Sequence, residues 1–238
     1  MTMKRYLPLA LVFLIAAVAA ANTAIEPGPR DAAWVKRHEG FVAEAHHGGI
    51  DVLFLGDSIT DYWRDRGRAV WDREFAPLKA ANFGISADRT QHVLWRLRNG
   101  EADGYQPKVV VLMIGTNNTG LERDGKTPRN TPPEVIEGVT AVVNELRARF
   151  PEAKILLLAI FPRGEKADPQ RAQVAEVNRS LAKLHDGRHV FFLDINDRFL
   201  DAEGNLPKDV MPDLLHPSAK GYAIWAAAIR EPLKQLLK

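Results

Sequence analysis

The chain has 238 residues, of which 46% are hydrophobic and 26% charged, an ordinary composition for a globular protein of one domain. This composition excludes a disordered or collagen-like chain, and the absence of cysteine excludes disulfides, thiolate metal sites and a cysteine nucleophile. Lys and Arg number 32 against 30 Asp and Glu, and the net charge of +2 is too small for the electrostatic footprint of a nucleic-acid-binding protein.

The N-terminal stretch, residues 1–21, differs in composition from the rest of the chain. Lys4 and Arg5 form a basic head, an uncharged and mostly apolar run of 15 residues follows, and the alanines at 19–21 fit the small-residue pattern of a cleavage site. A transmembrane helix needs roughly 20 apolar residues, so we prefer a cleaved signal to an uncleaved anchor. We predict a signal peptide at 1–21 and one domain at 22–238, exported to the periplasm or secreted, without a stable membrane anchor.

From about residue 31 onward, short apolar runs alternate with longer segments of helical period. This order is typical of βα units around a parallel sheet, and the runs lack the in/out alternation of a half-exposed sheet. We predict one doubly wound, flavodoxin-like α/β domain of three layers with a five-stranded parallel sheet. The predicted elements are helix Ala32 to Ala45, strand Val52 to Leu55, strand Ala80 to Phe83, helix Arg89 to Arg98, strand Val109 to Ile114, helix Glu134 to Phe150, strand Ile155 to Ile160, helix Pro169 to His185, strand His189 to Leu193 and helix Ala219 to Leu237.

A serine follows the first predicted strand, in the segment Gly56-Asp57-Ser58-Ile59-Thr60. Reactive groups of doubly wound sheets lie at the carboxyl ends of the strands, and the glycine permits a tight turn before the serine. By position alone, Ser58 is a candidate nucleophile or a helix cap. The G-x-S-x-G elbow of α/β-hydrolases is excluded because position 60 is threonine.

A candidate base and its partner lie just before the last predicted helix, at His216 and Asp213. A serine hydroxyl is a poor nucleophile until a base takes its proton, and the base needs a third group that orients its ring and stabilises its charge. From three residues away, Asp213 can bind one ring nitrogen of His216 and leave the other free for Ser58. A capping aspartate and a surface histidine are the alternative.

Two further strand ends carry polar groups, the segment 82–88 after the second predicted strand and Gly115-Thr116-Asn117-Asn118 after the third. Acyl transfer requires hydrogen-bond donors aimed at the oxygen that becomes negative in the transition state. The side-chain amide of Asn117 and backbone N–H groups at the turns can supply them, although asparagine after a strand is also an ordinary turn former.

Together, these strand-end segments resemble the four blocks of the SGNH (GDSL-type) hydrolases. The stretches 82–101 and 115–118 look particularly like the catalytic subunits of platelet-activating-factor acetylhydrolase type Ib, and the likeness runs from about Asp51 to Trp225. The blocks that occur in the family's order and approximate spacing are Gly56-Asp57-Ser58, the glycine-bearing turn after the second strand, Gly115-x-Asn117 and Asp213-x-x-His216.

The resemblance implies a role for each residue of the site. Ser58 would be the nucleophile, His216 the general base and then acid, and Asp213 its orienting partner. The oxyanion hole would comprise the backbone N–H of Ser58, the side-chain amide of Asn117 and the backbone N–H of Ala87. The family has glycine where this chain has Ala87, so alanine serves only if its backbone angles are ones that a β-carbon tolerates.

The resemblance also implies a small acyl pocket, walled by Ile59, Thr116 and Leu215. These side chains are bulkier than the glycine or alanine that a long acyl chain requires, so acetyl is the preferred group. A hydrophobic pocket discriminates by only about 1 to 3 kcal/mol per methylene, so the preference is not exclusive. The reaction needs no cofactor and no metal ion, and the histidines within 38–47 lack the spacing of a ligand set.

We therefore predict an exported serine esterase for small-acyl esters, acetyl esters foremost, with a Ser-His-Asp triad. Its partner is a small-molecule ester, either an acetylated carbohydrate or a short-acyl lipid, and not a nucleic acid; the sequence does not specify the oligomeric state. Three alternatives remain: a lysophospholipase or thioesterase of broader acyl range, a non-catalytic flavodoxin-like binding module, and a catalytically inactive carbohydrate-binding relative. Of the surrounding residues, Asp88 is expected to cap its helix and the loop 163–166 to be solvated.

Overall fold

The computed structural model describes residues 21–238 of the chain. The predicted signal peptide lies outside the described residues except for Ala21. Within residues 21–238, no helix combines the length and the apolar character needed to cross a membrane.

The centre of the fold is a parallel sheet of five strands in the order β2-β1-β3-β4-β5, which confirms the predicted sheet. Its inner strands are buried, as expected for strands covered on both faces. The strand order reverses at β1, which pairs with β2 on one side and β3 on the other. Ligands of doubly wound sheets bind at the carboxyl ends of such switch-point strands. The strands are β1 Val52–Gly56, β2 Ala80–Gly84, β3 Val109–Met113, β4 Lys154–Leu158 and β5 Val190–Leu193.

Helices cover both faces of the sheet, which confirms the predicted three layers. Alternate residues of each strand point to opposite faces: Leu53 and Leu55 pack with α1, α4, α5 and α6, whereas Val52 and Phe54 pack with α3 and α7. The helices are α1 Ala32–His47, α2 Ser58–Asp61, α3 Arg68–Glu74, α4 Thr90–Arg96, α5 Pro132–Arg149, α6 Pro169–Leu181 and α7 Ala219–Leu236.

The structure differs from the predicted elements mainly at their ends. Strand β4 ends at Leu158, two residues before the predicted end, because the side chain of Asn178 bonds both the N–H and the C=O of Ile160 at 2.8 Å. An asparagine from α6 thus replaces the neighbouring strand as the partner of this buried backbone. The short helices α2 and α3 were not predicted, since four and seven residues are too few for a helical period to be recognised.

Candidate active site

Ser58 begins α2, directly after β1. Position 56, where β1 ends, must be glycine because a side chain there would overlap the carbonyl oxygen of Met113 in β3. The side chain of Asp57 caps α2 by accepting the N–H of Ile59 at 3.0 Å. Asp57, not Ser58, is therefore the helix cap, and the Ser58 hydroxyl remains available for other contacts.

The side chains of Ser58, His216 and Asp213 form a continuous hydrogen-bonded relay. Nε2 of His216 lies 2.9 Å from Oγ of Ser58, and Nδ1 lies 2.7 Å from Oδ2 of Asp213. An ionised carboxylate only accepts hydrogen bonds, so Nδ1 carries the ring proton and donates it to Asp213. In the neutral imidazole, Nε2 is then the acceptor that faces the serine hydroxyl.

The loop before α7 keeps Asp213 ionised. Partial burial acts to raise the pKa of Asp213, but hydrogen bonds to the carboxylate outweigh this effect and hold the pKa below its usual value. The donors are the backbone N–H and the imidazole of His216 and the backbone N–H of Leu215. The intervening Leu214 has a φ of +57°, a strained angle for a branched side chain. Its carbonyl oxygen accepts the N–H of Gly164 at 2.8 Å, which ties this loop to the one after β4.

Tyr62 is a contact of the candidate base that sequence reasoning missed. Its ring centroid lies 5.0 Å from that of His216, with the rings tilted by 39°, and the guanidinium of Arg66 lies 5.0 Å from the tyrosine ring. Only the fold brings position 62 beside position 216, so no local sequence signal identifies it. Tyr62 thus packs against one side of the His216 imidazole.

The three predicted oxyanion donors have free hydrogens. Within residues 21–238, neither the Ser58 N–H nor the Ala87 N–H donates to a protein acceptor. The Nδ2 group of Asn117 uses one hydrogen on the carbonyl oxygen of Asp88, at 3.0 Å, and keeps the second. That bond joins the loop after β3 to the turn that carries Ala87.

The Ala87 backbone lies in the left-handed region, with a φ of +65°. A β-carbon in this region costs roughly 1 to 2 kcal/mol. Alanine therefore adopts strained backbone angles here, not the tolerable ones that the resemblance required. The strain indicates that the surrounding contacts impose this turn, because an unconstrained alanine would avoid it.

Ala87→Gly is therefore expected to raise the free energy of unfolding by about 0.5 to 1 kcal/mol, since relief of strain outweighs the extra entropy of an unfolded glycine. Urea denaturation measures the change. The control is Ala227→Gly, at an exposed position of α7, which should lower stability by about 1 kcal/mol. Equal losses in both variants would contradict the assigned backbone angle.

The expectation that Asp88 caps its helix is wrong. Its carboxylate is fully buried, accepts the indole N–H of Trp34 at 2.6 Å, and pairs with Arg30 at 3.2 Å and with Arg96 at 3.1 Å. Even so, burial raises the pKa of Asp88 to about 6. The N-terminal end of α4 is instead capped by a hydrogen bond from the backbone N–H of Arg89 to Nδ1 of His92. The buried ion pairs anchor the turn that presents the Ala87 N–H.

The expectation of a solvated loop at 163–166 is wrong for Arg163, although Glu165 and Lys166 are exposed. Arg163 is half-buried, and its guanidinium donates to the carbonyl oxygen and the hydroxyl of Thr116, at 3.2 and 3.1 Å. Burial lowers the pKa of Arg163 from its ordinary value, but the guanidinium remains protonated. Arg163 thus holds the loop that carries Asn117.

The predicted acyl-pocket residues lie near the relay but differ in exposure. Ile59 and Thr116 are buried, with 1% of their surface exposed, and Leu215 is half-buried. Ile59 and Leu215 belong to one hydrophobic cluster, between the sheet and α7. Within residues 21–238, no group of three His, Asp or Glu side chains has a geometry that could hold a metal ion.

Asp57 is the buried ionisable group next to Ser58. Burial raises the pKa of Asp57 to about 7, against the opposing effects of the Ile59 N–H and the nearby Arg163. Its Oδ2 has no hydrogen-bond partner in the described part of the chain. In the folded protein this carboxyl therefore retains a proton over a pH range in which an unfolded chain releases it.

This proton makes stability depend on pH. Between about pH 4 and 7 the folded state binds the extra proton, so Asp57 favours folding at acidic pH and this contribution is lost as pH rises to 7, at most about 1.4 kcal/mol per pH unit. Asp57→Asn keeps the helix cap but cannot titrate, so its unfolding free energy should fall less steeply with pH. Urea denaturation at pH 4.5, 5.5 and 6.5 measures the slopes; parallel curves would contradict the shifted pKa.

Comparison with known proteins identifies relatives of the whole domain. A model of the GDSL-like lipase/acylhydrolase family matches residues 54–224. The chain is 39% identical to platelet-activating factor acetylhydrolase IB subunit alpha2 of Homo sapiens, with 92% of each chain covered. The corresponding alpha1 subunit is 36% identical, with 91% of each covered.

Solved structures show the same fold. A putative acylhydrolase from Bacteroides fragilis has a TM-score of 0.69 at 19% identity, covering 88% of this chain and 100% of that one. An acetylxylan esterase from Geobacillus stearothermophilus has a TM-score of 0.62 at 20% identity, covering 79% and 94%. At these identities the likeness concerns the fold alone.

Proposed function

Because the chain belongs to the GDSL-like lipase/acylhydrolase family and is a carboxylic ester hydrolase, we propose that it is an exported serine esterase that removes small acyl groups, acetyl foremost. The observation that carries the proposal is the unbroken relay from Ser58 Oγ through His216 to Asp213. A nucleophile, a base and an orienting carboxylate in direct contact are the groups that a two-step acyl transfer needs.

In the first step, Nε2 of His216 takes the Ser58 proton while Oγ bonds the ester carbonyl carbon. The carbonyl oxygen becomes an oxyanion, which the N–H groups of Ser58 and Ala87 and the Asn117 amide stabilise. When the tetrahedral intermediate collapses, the imidazolium gives its proton to the departing alcohol oxygen, and the acyl group remains on Ser58. Asp213 stays ionised throughout and stabilises the positive ring.

In the second step, water replaces the alcohol. His216 takes a proton from water as its oxygen bonds the acyl carbon, the same three donors hold the oxyanion, and the returning proton releases Ser58 and the free acid. Each proton that leaves one oxygen reaches another through a single imidazole, so no cofactor is required.

The proposed acyl pocket favours acetyl because Ile59 and Thr116 are already packed on all sides, whereas only Leu215 is half-buried and can yield. Each added methylene must displace such packing. The 39% identical relative that carries acetylhydrolase in its name agrees with a small acyl group.

We expect kcat/KM for p-nitrophenyl esters to fall from acetate to butyrate to octanoate, by about tenfold or more overall, because overpacking a dense wall costs about 1 to 3 kcal/mol. Ile59→Ala should flatten this profile by opening the pocket, whereas Ile224→Ala, a half-buried position of α7, should leave its slope unchanged. Faster hydrolysis of octanoate than of acetate by the unaltered protein would instead favour a lysophospholipase or thioesterase.

The proposal has a direct chemical test. A fluorophosphonate should form one covalent adduct, located on Ser58 by peptide mass spectrometry, and should abolish the hydrolysis of p-nitrophenyl acetate. A folded protein that neither reacts with the probe nor hydrolyses acetate esters would support the non-catalytic binding module.

Export belongs to the same proposal and rests on residues 1–21. Removal of this segment takes away Lys4 and Arg5 and no acidic residue, which leaves 30 basic and 30 acidic residues in the remaining chain. A formally neutral enzyme does not select its substrate by bulk charge, so any charge preference must arise from local groups beside the site.

A further inference from the structure

A cavity of about 550 Å³ adjoins two of the proposed oxyanion donors. Asn117 and Ala87 form part of its wall, so it opens beside the position proposed for the ester carbonyl. The three proposed acyl-pocket residues do not line it, so it is distinct from that pocket. The side chains that line the rest of the cavity are Arg30, Arg89, His92, Glu122, Arg123, Asp124 and Arg129.

The cavity wall carries excess positive charge. Four arginines and two carboxylates are among the lining residues, which together carry a net charge of +2 because burial lowers the pKa of His92 to about 3 and leaves that ring neutral. The two carboxylates are already engaged. Glu122 accepts both Nη1 and Nη2 of Arg89, at 2.7 and 2.6 Å, and Asp124 bonds backbone and hydroxyl groups of its own loop.

The arginines differ in how firmly they are held. Arg89 and Arg129 share the single carboxylate of Glu122, and Arg129 also donates to the carbonyl oxygen of Asn117 at 2.9 Å. Arg30 shares Asp88 with Arg96. The exposed Arg123 makes no ion pair within residues 21–238. Arg89 and Arg129 share one carboxylate, and Arg123 is unpaired among the described residues. Guanidinium N–H groups therefore remain available to bind a further anionic group.

The outer wall of this cavity is an ordered loop. Residues 119–130 fold back on themselves: Glu122 N–H bonds the carbonyl oxygen of Thr127 at 2.7 Å, and Arg129 N–H bonds that of Gly120 at 2.9 Å. A bridge between Leu121 and Pro128 closes the same loop. The backbone that carries Arg123 is therefore ordered before a ligand binds, which lowers the entropy lost on binding.

We propose that this arginine-lined cavity binds an anionic group, a carboxylate or a phosphate, on the alcohol that leaves during ester hydrolysis. The inference rests on the proposed function, because it assigns the leaving group of that reaction. Guanidinium groups pair with both anions through parallel N–H bonds, so the chemistry common to the two is recognised here. The acyl group occupies its own pocket, and the remaining substituent of the tetrahedral carbon is the alcohol.

The test uses matched ester pairs that differ by one anionic group. Monoacetylated glycerol 3-phosphate is compared with glycerol monoacetate, and monoacetylated glucuronate with monoacetylated glucose, on the full domain at low ionic strength. The quantity measured is the ratio of kcat/KM for the anionic ester to that for its neutral partner. The larger of the two ratios identifies phosphate or carboxylate as the group that fits.

We expect a ratio above one in the unaltered protein and a fall of about three- to tenfold in Arg123→Gln and in Arg89→Gln, the effect of one charge-assisted contact at a hydrated rim. Arg123→Lys should restore most of the ratio, and added salt should reduce it because the pairs are exposed. The control Arg68→Gln removes an exposed arginine from α3 and should leave the ratio unchanged.

A ratio that does not change in Arg123→Gln and Arg89→Gln would overturn the proposal. So would an equal loss with anionic and neutral esters, since that result assigns the arginines a general structural role. Failure of the proposed function gives a different result: the unaltered, folded protein would then hydrolyse neither member of either pair.

Discussion

Ser58→Ala is expected to lower kcat/KM for p-nitrophenyl acetate by about 10⁵- to 10⁶-fold, the usual effect of removing a serine nucleophile from a relay of this kind. The substitution removes one oxygen atom, and with it the group that attacks the carbonyl and the hydrogen bond to His216 Nε2. The residual rate would come from the oxyanion donors and from substrate binding, which remain in place.

The relay acts as a unit, so its losses should not add. His216→Ala should cost nearly as much as Ser58→Ala, and the double variant no more than either, because the hydroxyl without its base is a weak nucleophile. Ser180→Ala, in α6, is the matched control and should retain activity within about twofold. Residual activity above a few per cent in Ser58→Ala, after contaminating esterase is excluded, would show that another group attacks.

Asn117→Ala is expected to lower kcat by about 10²- to 10³-fold with little change in KM, since the amide contributes most when the carbonyl oxygen carries negative charge. The structure supports this role, because the bond from Nδ2 to the Asp88 carbonyl oxygen fixes the plane of the amide and leaves its second hydrogen free. A preoriented donor costs no reorganisation as charge develops.

Stability measurements separate this loss from unfolding. Asn117 is half-buried and its side chain makes one bond to the backbone, so its removal should cost only about 1 kcal/mol of stability. Asn99→Ala removes an exposed asparagine that likewise bonds one backbone carbonyl, and it should leave kcat unchanged. Near-normal kcat in Asn117→Ala would remove this residue from the oxyanion hole.

The predicted strands lie within about two residues of those observed because each is a short apolar run with a clear boundary. Strand β1, predicted as Val52 to Leu55, differs by one residue. The larger error at β4 has a tertiary cause, since the apolar pattern continues to Ile160 while an asparagine 18 residues later takes over the backbone hydrogen bonds. An apolar pattern records burial and not the identity of the bonding partner.

The pairing of Asp213 with His216 was predictable from their spacing, whereas the roles in the relay came from the resemblance to the SGNH hydrolases. Asp213 and His216 lie within one turn, and Ser58 lies at the end of the strand around which the sheet order reverses. The neighbouring residues were not predictable in the same way. Asp88 precedes a helix, as a capping aspartate does, and only its burial against Trp34 and Arg96 distinguishes a buried ion pair from a cap.

The amino-acid sequence by itself determined the fold class and the order of the strand-end segments, because hydrophobic period and turn residues are local properties, and it pointed to Ser58, Asp213 and His216 through a resemblance to a known family. The tertiary structure alone decided that Tyr62 packs against His216, that Ala87 is held at a positive φ, and that a wall of arginines adjoins Asn117. These features join positions far apart in the chain. Their energies depend on burial and on neighbouring charge, which arise only when the sheet brings the strand ends together.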